Sequence, residues 1–203
     1  MSVPRRLLLA LPLVAGLRPA AAADAGSAPA VIERFYEQLL AIMKEAKRLG
    51  FDGRYTRLAS TIPQTFDLPL MTRIAIGPGW AQIPPDQQQR LDAAFSRYTI
   101  SMYASRFDDF GGERFEVTPT AAPNPNGVLV NSRLVKTNGE TVALNYLLKQ
   151  EAGGAWKVID VYLSGTVSEL AARRSEFVSV LQRNGAEGLV QLIEQRTAAL
   201  RAG

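Results

Sequence analysis

The sequence predicts an α+β protein, with N-terminal helices, a four-stranded antiparallel meander and two C-terminal helices. Up to about residue 107, apolar residues recur at three- and four-residue spacing, which is typical of helices with one buried face. After Gly111 and Gly112 they alternate, as in strands, and helical spacing returns near Ser168. Helices and strands therefore occupy separate parts of the chain, which favours α+β over a parallel α/β fold.

The N-terminal half is predicted to be helical. Helices are expected at residues 32–50, 55–65, 68–76 and 86–107. Gly50 ends the first of them and Gly77 the third, because glycine readily adopts the backbone conformation in which a chain leaves a helix. The fourth carries the bulky residues Phe95, Tyr98 and Met102 on one face, which indicates a main packing helix.

The middle of the chain is predicted to form the sheet. Strands are expected at residues 114–120, 128–136, 141–150 and 156–163. Gly127 and Gly139 each follow an asparagine, and such Asn-Gly pairs supply the positive-φ residues of tight hairpins. Short turns between successive strands predict a meander with one face on a core.

The C-terminal region is predicted to return to helix. Thr166 and Glu169 have the spacing of a capping box, which starts a helix. Gly185 follows Asn184 and is expected to stop it. A last helix then extends to about Leu200.

Residues 1–23 have the features of a secretory signal peptide. Basic residues are followed by an apolar stretch at residues 7–17 and by an Ala-x-Ala cleavage motif. The apolar stretch is shorter than the about 20 residues that span a bilayer, so cleavage is expected rather than anchoring. The mature chain is expected to be one domain, residues 24–203, in the periplasm.

Composition excludes several classes of function. The chain contains no His and no Cys, which removes Ser-His-Asp and Cys-His catalysis, imidazole metal ligation and disulfides. Loss of Arg5, Arg6 and Arg18 with the signal leaves 20 of the 23 basic residues against 19 acidic ones. The mature protein is therefore nearly neutral, its basic residues are scattered, and a nucleic-acid partner is not expected.

Asp160 is the acid with the strongest claim to a chemical role, because it lies within an apolar strand. As a general base it would need burial that raises its pKa and a substrate within reach. A structural role, as a carboxylate paired across the sheet with Arg133 or Lys149, is favoured over the catalytic one.

Two charged clusters are interpreted as surface features. Asp108, Asp109 and Glu113 provide too few oxygens at fixed spacing for a calcium site, so local ion pairs with the flanking Arg106 and Arg114 are favoured. The side chains of the adjacent Arg173 and Arg174 point about 100° apart on a helix, so they are poorly placed to bind one anion together. A solvated face is therefore favoured for this pair.

Several short motifs follow one another along nearly the whole mature chain. They include Phe66-Asp-Leu-Pro-Leu-Met71, Ala143-Leu-Asn-Tyr-Leu-Leu148, Trp156-Lys-Val-Ile-Asp160 and Asn184-Gly-Ala-Glu-Gly-Leu189. Their order resembles the MlaC, or toluene-tolerance, family of periplasmic lipid-binding proteins. The first motif, together with Gly112-Glu-Arg-Phe115 and residues 168–177, is most similar to the hopanoid-associated HpnM branch.

This resemblance implies a fold that encloses a deep apolar cavity, without catalysis or cofactor. Members of the family carry lipids across the periplasm between inner- and outer-membrane complexes. The main family carries phospholipids and works with an ABC-type transporter that bears an MCE-domain subunit, and the hopanoid branch is thought to work with a membrane transporter. We therefore expect a monomeric carrier of phospholipid or hopanoid.

The candidate lipid-contact residues are apolar side chains of the helices and the sheet. They are Met71, Ile74, Phe95, Tyr98, Met102, Val130, Leu144, Tyr146, Ile159, Val161 and Leu163. The residue pattern alone favours a filled core, and the hollow is implied only by the resemblance. Two other functions stay open: an enzyme similar to nuclear transport factor 2 that uses Asp160 or Tyr146, and a periplasmic adaptor that binds only proteins.

Overall fold

The structure, a computed structural model, describes residues 26–202, and the predicted signal peptide lies outside them. The helices are α1 (Ala28–Lys44), α2 (Ala46–Thr65), α3 (Leu68–Ile76), α4 (Pro85–Arg106) and α5 (Glu169–Ala202), with a 3-10 helix (Gly77–Gln82) between α3 and α4. The strands are β1 (Arg114–Val117), β2 (Ala122–Asn124), β3 (Gly127–Val130), β4 (Ser132–Val135), β5 (Thr141–Gln150), β6 (Trp156–Leu163) and β7 (Val167–Ser168). This order confirms the predicted α+β class. Within the described part of the chain, no helix is both long enough and apolar enough to cross a membrane.

The sheet is the predicted antiparallel meander with one of its strands subdivided and short segments added. β3 and β4 pair with β5 in one continuous register, since Val130 lies opposite Tyr146 and Arg133 opposite Ala143. The predicted strand at residues 128–136 is thus one strand with a break near Asn131. The predicted strand at residues 114–120 is shorter, as β1, and β2 adds a further segment paired with β3.

The break between β3 and β4 has a local cause. The backbone N–H of Ser132 donates to Oδ1 of Asn145 at 3.1 Å instead of to a strand carbonyl. The hydroxyl of Ser132 donates to the carbonyl of Leu144. Side chains therefore replace the ladder hydrogen bonds at this point, and the polar backbone groups stay satisfied.

Two glycines interrupt the long helices. Gly185, with φ 67° and ψ −174°, separates two helical segments within α5, as the Asn-Gly pair predicts. Gly50 makes the same break within α2, with φ 59° and ψ −174°. The helical segment that begins at Ala28 thus ends at Gly50 as predicted, and it is divided once, at Glu45 between α1 and α2.

The core lies between the helices and one face of the sheet. Phe35 of α1 is 1% exposed, and its ring meets those of Phe66, Tyr103 and Tyr146 edge-on at centroid distances of 5.2, 5.6 and 6.4 Å. Such aromatic pairs contribute ~0.5–1.5 kcal/mol each beyond the burial of their area. This aromatic cluster fills one end of the space between helices and sheet.

Candidate ligand cavity

A cavity of about 320 Å³ lies between α4, the sheet and the first turns of α5. Small-molecule sites commonly have volumes of ~300–1,000 Å³, so the cavity is at the lower end of that range. Its lining consists of Phe66, Met71, Phe95, Tyr98, Thr99, Met102, Tyr103, Arg106, Phe107, Leu134, Val142, Leu144, Tyr146, Val161, Leu163, Glu169, Leu170 and Arg173. Most of these side chains are apolar or aromatic, and the charged ones come from only α4 and α5.

The periodicities of helix and strand explain how these residues meet. Phe95, Thr99 and Met102 of α4 are four and three residues apart, so successive turns present one face to the cavity. Leu144 and Tyr146 alternate along β5 and share a face of the sheet. Across the ladder, Leu144 lies opposite Leu163 and Tyr146 opposite Val161, which extends the apolar wall onto β6.

Most of the predicted lipid-contact residues come together on this wall. They are Met71, Phe95, Tyr98, Met102, Leu144, Tyr146, Val161 and Leu163. Val130 is fully buried in the core, on β3, which packs against α1, and does not line the cavity. Ile74 and Ile159 line a separate surface groove.

A β-bulge explains why Ile159 is not on the wall. Leu147 of β5 pairs with Asp160, but Leu148 pairs with Val158, so Ile159 is the extra residue that has no partner in this ladder. Strict alternation from Val161 would have placed Ile159 on the cavity face, and the bulge reverses that assignment. Ile74 lies where α3 meets α5: its carbonyl accepts from Arg174, and it lines the groove together with Ala171 and Arg174.

The cavity also contains residues that were not among the predicted contacts. Leu134 and Val142 face each other across β4 and β5 and continue the row of Leu144. Val142 could have been predicted as a cavity residue, because it alternates with Leu144 along β5. Phe107 follows the end of α4, where helical periodicity no longer predicts the direction of a side chain.

Burial distinguishes a floor from a mouth. At the floor, Tyr146 and Leu170 are each 1% exposed and Phe66 is 2% exposed. At the mouth, Arg106 is exposed and Tyr98 is half-buried. The cavity is thus closed at its aromatic end and open at its charged end.

Arg173 belongs to this mouth, and the prediction of a solvated face for it is wrong. Its side chain is 14% exposed and lies 2.5 Å from a carboxylate oxygen of Glu169. Its guanidinium is 5.6 Å from the ring centroid of Tyr98, within the range of a cation–π contact. Arg174 is exposed and donates to the carbonyl of Ile74 at 2.8 Å, so only one of the two adjacent arginines faces the cavity.

Arg106 has a different environment from that predicted. Within residues 26–202, no carboxylate lies within 4.0 Å of its guanidinium. The predicted local ion pairs of the acidic cluster are wrong, since Asp109 pairs instead with Lys47 of α2, at 3.4 Å. Arg114 pairs instead with Glu116 at 3.0 Å. The described residues contain no group of three or more acids arranged to hold a metal ion.

Tyr103 and Tyr146 line the floor, and a third buried tyrosine, Tyr36, lies behind it. The Tyr36 hydroxyl lies 2.6 Å from Oγ of Ser132, and its ring meets that of Tyr146 edge-on at a centroid distance of 5.8 Å. Burial raises the pKa of Tyr36 to about 12 and raises those of Tyr103 and Tyr146 as well. All three hydroxyls are therefore neutral at physiological pH, and Tyr146 is not available as a base.

Asp160 lies in the surface groove, not in the cavity. It accepts hydrogen bonds from the Ser168 hydroxyl at 2.5 Å, from Val161 N at 2.8 Å and from Leu170 N at 3.4 Å, and so connects β6 to the start of α5. Burial raises the pKa of its carboxyl, and the Ser168 hydrogen bond opposes that shift. The predicted partners are wrong, since the carboxyl is bound by a hydroxyl and two amides, and Arg133 pairs with Glu116.

An apolar cavity with a closed floor and a charged mouth, built into a non-repetitive α+β fold, defines a binding protein for amphipathic ligands. Residues 33–195 match the model of the MlaC protein family, and the chain belongs to that family. The fold is similar to that of a phospholipid-binding protein from Ralstonia solanacearum, solved in complex with a phospholipid. The TM-score is 0.74 at 28% identity, and the match covers 86% of this chain and 98% of the other. No curated protein matches the sequence significantly.

Proposed function

We propose that this protein is a periplasmic lipid carrier that holds an acyl chain in the cavity and leaves the head group at the mouth. The observation that carries the proposal is the apolar cavity itself, closed at Tyr146 and open at Arg106. The phospholipid bound by the related Ralstonia protein supports a phospholipid as the ligand of this chain too.

The energetics of an acyl chain explain why a carrier needs such a cavity. Each buried CH₂ group is worth ~0.8 kcal/mol, so a C16 chain left in water would cost on the order of 13 kcal/mol. The walls formed by Leu144, Val161 and Leu163 can replace that burial. The polar exterior then keeps the loaded carrier dispersed in water.

The charges at the mouth suit an anionic head group. Arg106 and Arg173 contribute two positive charges, and Glu169 contributes one negative charge. Arg106 is exposed, and no carboxylate of the described residues neutralises it, so it is available to a phosphate. Arginine suits this role because its planar guanidinium makes paired hydrogen bonds to phosphate oxygens.

The wider role follows from the family. As a mature domain of residues 24–203, the protein would carry lipid between inner- and outer-membrane transport complexes. Its inner-membrane partner would be an MCE-type ABC complex or a hopanoid transporter. Phospholipid is the ligand that the comparison supports, and hopanoid is the alternative that the sequence resemblance adds.

Native mass spectrometry of the mature protein, with a pair of matched variants, tests the proposal. Val142 lines the cavity, whereas its exposed neighbour Thr141 has its side chain on the other face of β5. We expect stoichiometric lipid on the wild type and on Thr141→Trp, and its loss from Val142→Trp, because a tryptophan there fills the cavity. A wild-type protein that is lipid-free and binds neither added phospholipid nor hopanoid overturns the proposal and favours a protein-binding adaptor.

An enzyme similar to nuclear transport factor 2 receives less support. Its proposed base, Asp160, lies in the surface groove and not in the cavity, and its other candidate, Tyr146, has a raised pKa. Asp160 has structural hydrogen-bond partners, and the ring of Tyr146 packs edge-on against those of Phe35 and Phe66 in the core.

A further inference from the structure

The cavity ends at a set of aromatic rings packed against one another. Phe66, Tyr103 and Tyr146 all line it, and the ring of Phe66 meets those of the two tyrosines edge-on at centroid distances of 5.6 and 6.3 Å. The ring of Phe35, which is 1% exposed, contacts all three from behind. The space beyond these rings is therefore already filled, and a ligand cannot extend past them.

Backbone hydrogen bonds hold the rings in position. Phe66 ends α2, where its N–H donates to the carbonyl of Ile62 at 2.8 Å, and the N–H of Asp67 donates to the carbonyl of Val158 on β6 at 2.9 Å. Phe66 is thereby attached to the edge of the sheet, and Tyr146 lies within the sheet, between β3 and β6. Movement of Phe66 away from the sheet would break these bonds, so this end of the cavity is fixed.

Leu170 closes the same end from the side of α5. It lines the cavity and is 1% exposed, and its N–H donates to Oδ1 of Asp160 on β6 at 3.4 Å. This bond connects the first turn of α5 to the sheet and gives the leucine side chain a defined place at the floor. A larger side chain at this position would occupy space that a ligand otherwise fills.

The volume of the cavity determines how much hydrocarbon fits in front of these residues. An apolar cavity of ~150 Å³ binds benzene, which corresponds to about 25 Å³ for each carbon atom. At that packing, the cavity of about 320 Å³ holds about 13 carbon atoms. A C16 acyl chain therefore exceeds the cavity by about three carbons, which stay at the mouth.

We propose that Phe66, Tyr103, Tyr146 and Leu170 form an end wall that limits the buried part of the acyl chain to about 13 carbons and so determines the chain-length preference of the carrier. This inference rests on the proposed carrier function and adds the length of chain that the site accepts. Up to the limit, each added CH₂ group leaves water and strengthens binding ~4-fold. Beyond the limit, further carbons remain in contact with water and contribute no affinity.

The test measures how affinity depends on chain length in the mature protein. Saturated fatty acids from C8 to C18, each below its critical micelle concentration, compete with a fluorescent fatty acid. For the wild type we expect Kd to decrease ~4-fold per carbon up to about C13 and to stay constant from there to C18. The readout is the chain length at which the decrease stops, because a general loss of affinity changes the Kd values without moving that length.

Two variants should move this limit in opposite directions. Phe66→Leu removes three side-chain carbons from the end wall and should shift the limit to about C16. Leu170→Phe adds three carbons to the end wall and should shift the limit to about C10. Circular dichroism shows which of the two variants folds, and either one alone is decisive.

Phe177→Leu is the matched control. Phe177 is also 1% exposed and loses the same three carbons, but it lies in the core outside the cavity lining. This variant should lose stability, as core truncations do, and should leave the limit at about C13.

Each outcome bears on the inference. A limit that does not move in a folded end-wall variant, or a wild-type affinity that rises without a break to C18, shows that the inference is wrong while the carrier function stands. A shift in Phe177→Leu as large as that in Phe66→Leu also overturns the inference, because loosened packing would then determine the length. If no fatty acid and no phospholipid binds at all, the proposed function and this inference both fall.

Discussion

Glu169 and Arg173 form an ion pair one helical turn apart on α5, with Oε2 of Glu169 2.5 Å from Nη1 of Arg173. Their side chains are 16% and 14% exposed, which makes this the least exposed ion pair within residues 26–202. The arginine also donates to the carbonyl of Glu169 at 2.8 Å, so the pair is held in place at the mouth. A phosphate that approaches Arg173 must compete with the carboxylate of Glu169.

Substitutions of the two partners should therefore change lipid affinity in opposite directions. Glu169→Gln should strengthen binding of phosphatidylglycerol about 5-fold, because it frees Arg173 for the phosphate. Arg173→Gln should weaken that binding about 5-fold or more, since a charge-assisted hydrogen bond is worth ~1.5–3 kcal/mol when it is well shielded and less at a partly open mouth. Fluorescence titration with phosphatidylglycerol measures both effects. Uncharged diacylglycerol is the control, and equal effects on the two lipids would contradict a role for charge.

Asp160 should make stability depend on pH in a defined direction. Burial raises its pKa above the ordinary value of 3.8 in the folded protein, so the folded state holds this proton more tightly than the unfolded state. The resulting stabilisation is fully present below the ordinary pKa and is lost as the pH rises through the raised one. Relative to Asp160→Asn, which does not titrate, the wild type should therefore lose stability between about pH 4 and neutrality. Urea unfolding of both proteins across this range measures the difference, and a constant difference would refute the assignment.

The element order and the hairpin turns were predictable because they depend on local chemistry. Apolar spacing identified α4 and its inner residues Phe95 and Met102, and Asn-Gly pairs located the turns at Gly127 and Gly139. These signals lie within a few residues of the feature that they predict. For that reason the strand order of the meander was predicted correctly, although the break near Asn131 was not predicted.

The composition of the cavity was less predictable, because it depends on register and on long-range contacts. A single extra residue at Ile159 reversed the face assigned to it, and nothing in the alternation of β6 reveals the bulge. The burial of Arg173 depends on Tyr98, a residue 75 positions earlier in the chain. Whether the space between α4 and the sheet is hollow depends on how these elements are spaced, which residue patterns do not encode.

Gly127 should be intolerant of any side chain because of a close backbone approach. A Cβ atom at this position would lie 2.0 Å from the carbonyl oxygen of Leu148 on β5, which cannot move without displacing the strand. Gly139 is the matched control, since it also lies in a hairpin turn, with φ +85°, but nothing is within 4 Å of its Cβ position. Gly127→Ala should lower the free energy of unfolding by about 3 kcal/mol and Gly139→Ala by only about 1 kcal/mol. Urea unfolding measures both, and equal losses would mean that conformation rather than contact determines the cost at Gly127.

Asn145 should be essential to the strand break that supports the floor of the cavity. Its Oδ1 accepts the backbone N–H of Ser132 at 3.1 Å, and its Nδ2 donates to the carbonyl of Gly165 at 3.3 Å. Asn145→Ala leaves the Ser132 amide without this partner in a partly buried site, which should cost about 1–3 kcal/mol of unfolding free energy. Asn138 makes a similar bond to the N–H of Glu140 at 3.0 Å, but in an exposed turn where water can replace it.

Asn138→Ala should consequently lower the free energy of unfolding by less than about 0.5 kcal/mol. Asn145→Asp is the more selective variant, because it keeps the acceptor for Ser132 and loses only the donor to Gly165. Its loss of unfolding free energy should therefore fall between those of Asn138→Ala and Asn145→Ala. Equilibrium urea unfolding of the three proteins gives this order, and amide hydrogen exchange at Ser132 gives an independent measure of the bond. Exchange at Ser132 that is equally slow in wild type and Asn145→Ala would show that another group takes over the acceptor role.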